Sequence, residues 1–298
     1  MVDLKNIATE QRNPATLHID ELETVDMVRL MNREDARVAE AVEKVCPAIA
    51  RAVDVIAQRL ANGGRLIYIG CGTSGRLGIL DAVECPPTFS VDPEMVKGVI
   101  AGGEGAVFRA VEGAEDRREM GEEDLKKTGF CEKDVLCGLA AGGRTPYVLG
   151  AMEYARKVGA PVIAVTCCPG SEIDRAADIA ISPVPGPEVI TGSTRLKSGT
   201  AQKMISNMLS TCSMIKLGKV YGNLMVDVKP SNEKLRARAE RIVCEAAGCG
   251  ADEAKKALNA CGYRCKTAIV MLARNVEADE ADALLLRADG HIARALVM

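Results

Sequence analysis

Two glycine-rich turns, each set between a strand-like run and a helical pattern, constrain this chain most. The first, Ile69-Gly70-Cys71-Gly72-Thr73-Ser74-Gly75, follows the apolar run Arg65-Leu66-Ile67-Tyr68-Ile69. The second, Ala140-Ala141-Gly142-Gly143-Arg144-Thr145, follows Asp134-Val135-Leu136-Cys137-Gly138-Leu139. Strand, tight turn and helix in succession form the repeating unit of a parallel sheet, because parallel strands need a crossover between them. It is also the arrangement in which backbone N–H groups and a helix N-terminus hold an anion. The first turn adds the hydroxyls of Thr73 and Ser74, and the second adds Arg144 and Thr145. One such turn alone is often only a tight connection. Two on one sheet point to a phosphorylated small molecule that carries other polar groups.

The periodicities extend this reading along the chain. Residues 9–32 are polar and irregular, with Pro14 and Asp20 marking turns or caps. From residue 32 the pattern is helical: Val38, Val42, Val45, Ile49, Val53, Ile56 and Leu60 recur at spacings of three and four, and Pro47 divides or kinks the stretch. Asn62-Gly63-Gly64 ends it. Strands are expected at residues 65–69, 96–101, 134–139, 162–166 and 178–181. Helices are expected at 74–83 (stopped by Pro86-Pro87), within 112–127, at 145–158 and at 194–218. The segments 67–84 and 135–153 read as weak structural repeats. Residues beyond 231 read as a small helical unit, with Ile242, Val243, Leu258, Ile269, Val270, Met271 and Leu272 as its core. The expected fold is α/β: a parallel sheet flanked by helices with a small C-terminal helical unit. Its expected segments are 1–60 helical, 61–230 the ligand-binding domain and 231–298 helical.

Composition excludes several classes. Aromatic residues are 3% of the chain and Trp is absent, so base-stacking platforms are not expected. The formal net charge is −3 with no basic run, which argues against a polyanion partner such as nucleic acid. No stretch of 18 apolar residues occurs, so no membrane span is expected. Met1-Val2-Asp3-Leu4-Lys5 does not read as a signal peptide, and the expected compartment is the cytoplasm. The 12 cysteines are scattered without a C-x-x-C, and His18 and His291 lie at opposite ends, so no metal site is expected. Cys71 stands apart from the other cysteines because it sits in the first glycine turn.

Gly70-x-Gly72-x-x-Gly75 matches a dinucleotide fingerprint, but that site needs a carboxylate at the end of the second strand. Here the strand ends Ile100-Ala101-Gly102-Gly103, with Glu104 only beyond the glycines. The stronger chemical candidates are two glutamates. Glu84 lies in Asp81-Ala82-Val83-Glu84-Cys85-Pro86-Pro87, a small apolar stretch where a carboxyl group could be held with a raised pKa and move protons. Glu115 lies in Val111-Glu112-Gly113-Ala114-Glu115-Asp116.

Residues 66–89, 111–116, 143–148 and Gly192-Ser193-Thr194-Arg195-Leu196-Lys197 resemble the N-acetylmuramic acid 6-phosphate etherases of the sugar isomerase (SIS) superfamily. The resemblance spans nearly the whole chain, from Arg12-Asn13-Pro14 through Asn223-Leu224-Met225-Val226-Asp227. It implies a SIS-type three-layer sandwich that works as a homodimer without metal or organic cofactor. The implied reaction recovers cell-wall sugar: elimination of the lactyl group and addition of water give N-acetylglucosamine 6-phosphate and D-lactate. The glutamates matching Glu84 and Glu115 carry the proton transfers in the family, Glu84 as the acid. Gly72, Thr73, Ser74, Gly142, Gly143, Arg144, Thr145, Glu188, Ser193 and Thr194 are the expected phosphate- and substrate-binding residues. One departure stands out: Gly142 occupies the place where the family's second turn carries serine. Val83 and Cys71 replace the family's frequent serine and alanine. Two other readings stay open. One is an aldose–ketose isomerase, which would share phosphate binding and C2 deprotonation but release no lactate. The other is a non-catalytic sugar-phosphate sensor that controls a partner protein and has no need of Glu84 and Glu115.

Overall fold

Leu66, Ile67, Tyr68 and Ile69 form a strand with no solvent exposure, as a central parallel strand covered on both faces must be. The computed structural model describes residues 8–228, 230 and 232–298, so Met1 to Lys5 lie outside the described residues. After three short 3-10 turns come α1 (Thr24–Glu43), α2 (Cys46–Ala61), β1 (Leu66–Gly70), α3 (Gly72–Phe89), β2 (Val96–Ile100), α4 (Gly105–Phe108) and α5 (Arg118–Lys127). β3 (Val135–Leu139), α6 (Pro146–Lys157), β4 (Val162–Val165), α7 (Glu172–Ala176), β5 (Ile179–Ile181) and α8 (Lys197–Lys216) follow. The remainder is a small hairpin, β6 (Val220–Tyr221) and β7 (Leu224–Met225), and the helices α9 (Glu233–Ala247), α10 (Ala251–Ala260), α11 (Cys265–Arg274), α12 (Ala278–Arg287) and α13 (Ile292–Ala295).

Strands β1 to β5 make one parallel sheet in the order β2-β1-β3-β4-β5, with Ile69 opposite both Val99 and Gly138. Helices flank this sheet, and the expected α/β fold holds. Arg65 and Asp134 clamp the entry ends of β1 and β3: Asp134 accepts from the Arg65 backbone N–H at 2.9 Å and pairs with its guanidinium at 2.7 Å. The two expected strand–turn–helix segments are β1–α3 and β3–α6. Helices α5 and α6 pack so closely that a methyl group at Gly150 would lie 1.9 Å from the Arg118 carbonyl oxygen, and one at Gly121 1.9 Å from that of Tyr147. Only glycine permits this approach, and it sets the segment before α5 against the start of α6.

The structure corrects several local expectations. The first helix begins at Thr24 rather than at residue 32, and its early apolar residues Val25 and Val28 are exposed, so they carry no core periodicity. Pro47 does divide the stretch, standing in the first turn of α2, where its missing N–H costs nothing. Helix α3 does not stop before Pro86-Pro87 but runs through them to Phe89. The prolines fall in its last turn and forgo the bonds back to residues 82 and 83, and the Ser90 N–H closes that turn on the Pro86 carbonyl at 3.0 Å.

Two compact units are present. The first takes in the described residues up to Val83 together with Glu94–Ser210, and the second takes in Glu84–Pro93 and the described residues from Thr211 to Met298. The expected divisions at 60/61 and 230/231 differ from these boundaries, two of which fall within α3 and α8 and the third between α3 and β2. In the second unit Ile242, Val243, Leu258, Ile269 and Val270 are core residues as expected, with Met271 and Leu272 at its margin. There Asp227 pairs with Lys219 at 3.0 Å and Lys266 at 2.8 Å, and its carbonyl accepts from the Ser90 hydroxyl. Among the described residues no helix is long and apolar enough to cross a membrane.

Candidate active site

The chain leaves β1 toward β2 on one side, while β3 lies on the other. Such a reversal of strand order opens a crevice at the carboxyl ends of the two central strands, which is where open α/β sheets bind ligands. A cavity of about 340 Å³ lies there. Cys71, Gly72, Thr73, Ser74 and Arg76 line it from the start of α3, and Leu139, Ala140, Ala141, Gly142 and Thr145 from the second glycine turn. Val111, Glu112 and Glu115 close another side, and Thr194 contributes from the segment before α8.

The first turn supplies donors. Helix α3 starts at Gly72, so its first N–H groups have no intrahelical acceptor and sit at the positive end of the helix dipole. The Ser74 hydroxyl donates to Gln202 Oε1 at 2.8 Å, and both residues are buried. At the second turn the Gly143 N–H closes on the Ala140 carbonyl at 2.9 Å with φ at +67°, leaving Gly142 open to the cavity. Thr145 precedes α6 without capping it through its side chain, and it lines the same space.

Glu115 is half-buried, and its carbonyl accepts from the Tyr147 N–H at 3.0 Å, which fixes it to the first turn of α6. The Cys71 thiol is pushed up to about 12, chiefly by burial and then by the charges of Glu115 and Asp116. It therefore stays protonated at neutral pH and is no nucleophile.

Six of the ten expected binding residues line the cavity: Gly72, Thr73, Ser74, Gly142, Thr145 and Thr194. Gly143, Arg144, Glu188 and Ser193 do not. Glu188 is fully buried and receives the N–H groups of Lys197 and Ser198, each at 2.9 Å, and the Ser198 hydroxyl at 2.7 Å. It closes the N-terminus of α8 and so holds the segment bearing Thr194. Nearby, buried Lys197 pairs with Glu34 at 2.7 Å, and Asn13 donates to the same carboxylate at 2.8 Å. Burial pushes the Glu34 carboxyl up, but these hydrogen bonds outweigh it and leave the group below its ordinary range.

Glu84 is exposed and is not among the residues that line the cavity. The sequence reading missed Arg76, the one cation among the described lining residues, and Glu112. Arg76 falls one helical step from Thr73 and Gly72 (i+3 and i+4), a spacing that could have placed it on the same face.

Family profiles agree with this geometry. One described as SIS domain matches residues 130–212, and one described as glucokinase regulatory protein N-terminal SIS domain matches residues 48–156. Among solved structures, the phosphoheptose isomerase from Neisseria gonorrhoeae superposes with a TM-score of 0.51 at 20% identity, over 64% of this chain and 98% of that one. Fold and comparisons thus define a SIS-domain protein with a cavity at its sheet reversal. A relative from Clostridium beijerinckii named N-acetylmuramic acid 6-phosphate etherase is 57% identical, covering 99% of this chain and 97% of that one. One of the same name from Photobacterium profundum is also 57% identical, over 99% and 98%. The chain belongs to the N-acetylmuramic acid 6-phosphate etherase family.

Proposed function

We propose that this chain cleaves the lactyl ether of N-acetylmuramic acid 6-phosphate, giving N-acetylglucosamine 6-phosphate and D-lactate, in the cytoplasmic recovery of cell-wall sugar. The observation that carries this reading is the convergence of two glycine turns and Glu115 on one cavity, in a chain with near full-length relatives of that name. The neutral donors of α3 and the second turn suit a phosphate. In the open-chain aldehyde the C2 proton is acidic and the ether at C3 is a leaving group. A carboxylate in reach of C2 takes that proton, an acid protonates the departing ether oxygen, and water adds to the unsaturated aldehyde. Glu115 and Glu84 are the groups proposed for these transfers.

The position of Glu84 supports a composite site in a homodimer, in which this glutamate serves the cavity of a second copy. Leu80 and Val83, on α3 beside it, are 44% and 59% exposed. An apolar helix face of this kind favours a protein neighbour over water, and covering it would desolvate Glu84 and fit it for proton transfer.

The test is incubation with N-acetylmuramic acid 6-phosphate in deuterated, oxygen-18 water. D-lactate release, with deuterium at C2 and oxygen-18 at C3 of the amino sugar, is expected. Conversion of an aldose phosphate to a ketose without lactate release would favour the isomerase, and oxygen-18 found only in lactate would refute C3–O cleavage.

A further inference from the structure

Arg76 is the one cation among the described residues that line the cavity, and Glu112 and Glu115 line it too. It is half-buried in the first turns of α3, where a helical side chain leans back toward the N-terminal end. Its Nε donates to the Val107 carbonyl and its Nη2 to that of Ala106, both at 2.8 Å. These acceptors are neutral, and no ion pair compensates the guanidinium charge among the described residues. A guanidinium offers five N–H donors in a planar fork. The Nε–Nη2 edge holds the two carbonyls, and the Nη1–Nη2 edge is left to meet a carboxylate through two parallel bonds.

On the etherase reading given above, the substrate brings two anions of different shape. The phosphate at C6 fits the neutral N–H groups and hydroxyls of the glycine turns. The lactyl carboxylate hangs from the ether at C3, at the reacting end, and enters a space that already contains two carboxylates. Without a cation there it would meet only repulsion. The carbonyls that hold Arg76 belong to α4, in the segment between β2 and α5 that also carries Glu112 and Glu115. We infer that Arg76 is the recognition residue for the lactyl carboxylate, received on its Nη1–Nη2 edge. It sets the preference of the site for the ether over its carboxylate-free product, so that loss of lactate also loosens the sugar phosphate.

The experiment compares Arg76→Met and Arg76→Lys with the wild type, using two ligands. KM is measured for N-acetylmuramic acid 6-phosphate, and the inhibition constant for N-acetylglucosamine 6-phosphate, which lacks the carboxylate. Arg76→Met should raise KM roughly 10- to 100-fold, the scale of a lost hydrogen-bonded charge pair, and leave the inhibition constant within about threefold. Arg76→Lys, which keeps the charge but not the fork and preserves the fold if methionine does not, should fall between with the same selectivity. Equal weakening of both ligands would overturn the proposal, because it would mean that Arg76 holds phosphate or only braces α4. Unchanged constants for both would overturn it as well. If the wild type itself releases no lactate, the etherase reading fails and this inference fails with it. Lactate release by the wild type with unselective variants sinks Arg76 alone.

Discussion

Gly142→Ser should tighten the binding of sugar phosphates, while the same change one residue later should damage the fold. At Gly142 an added Cβ meets nothing within 4 Å, and the backbone is outside the left-handed region that favours glycine. Serine therefore enters without strain, at a position that lines the cavity. A hydrogen bond to a charged acceptor contributes about 1.5–3 kcal/mol. Water in the same place recovers part of this, which leaves a net gain of about 1 kcal/mol, or roughly five- to tenfold in Kd. Loss of glycine's freedom in the unfolded chain adds about 0.4–1 kcal/mol of stability. Gly143 is the opposite case, with φ at +67° and an added Cβ 2.2 Å from Ser171 Oγ. Ser171 caps α7 through the Asp174 N–H at 3.3 Å, so Gly143→Ser combines left-handed strain with a disturbed cap, together about 2–3 kcal/mol. Calorimetric titration with N-acetylglucosamine 6-phosphate and urea unfolding of both variants read these effects. Unchanged or weaker binding by a fully folded Gly142→Ser would refute the second turn as a phosphate contact.

Three further outcomes are expected. Glu84→Gln and Glu115→Gln should each lower lactate release by about 10² or more with little change in affinity, and near-wild-type turnover in either would remove that residue from the mechanism. Coexpressed in equal amounts, the two variants should recover about a quarter of wild-type activity, because half of the dimers keep one intact composite site; no recovery, or a sedimenting species of only 31.6 kDa, would refute a shared site. Asp81, pushed up to about 6 by burial against the opposing bonds from Tyr68 and Ser210, binds a proton in the folded chain more tightly than in the unfolded one. Stability should therefore fall as pH rises from about 4 through 6 and then level off, and Asp81→Asn should flatten that slope and add about 2 kcal/mol at pH 7, measured by urea unfolding across pH.

How much of this was legible in the sequence depends on the range of the interaction. The glycine turns and their strands were readable because each is local: five apolar residues and a tight turn fix a βα unit almost without help from elsewhere. The stop expected at Pro86-Pro87 was wrong: α3 runs through both prolines to Phe89, losing the bonds their missing N–H groups would make back to residues 82 and 83. Glu188 was expected at the ligand and is instead spent on the N–H groups of Lys197 and Ser198, a pairing that no local pattern announces. Arg76 went unnoticed because a cation in a first helical turn is ordinarily a solvated side chain, and only the fold brings the carbonyls of Ala106 and Val107 to it.

The two glutamates show the same limit from the other side. The apolar surroundings of Glu84 in the sequence made it the stronger candidate, yet Glu115 lines the cavity with its backbone bonded to Tyr147, while Glu84 is exposed and does not line it. If Glu84 is to act as an acid, its surroundings must become apolar, and the uncovered Leu80 and Val83 beside it are the surface whose burial would achieve that. Assembly would then complete the site: the contact that hides the helix face is the contact that seats Glu84 for proton transfer. On this argument a monomeric form would retain phosphate binding at the glycine turns and lose lactate release.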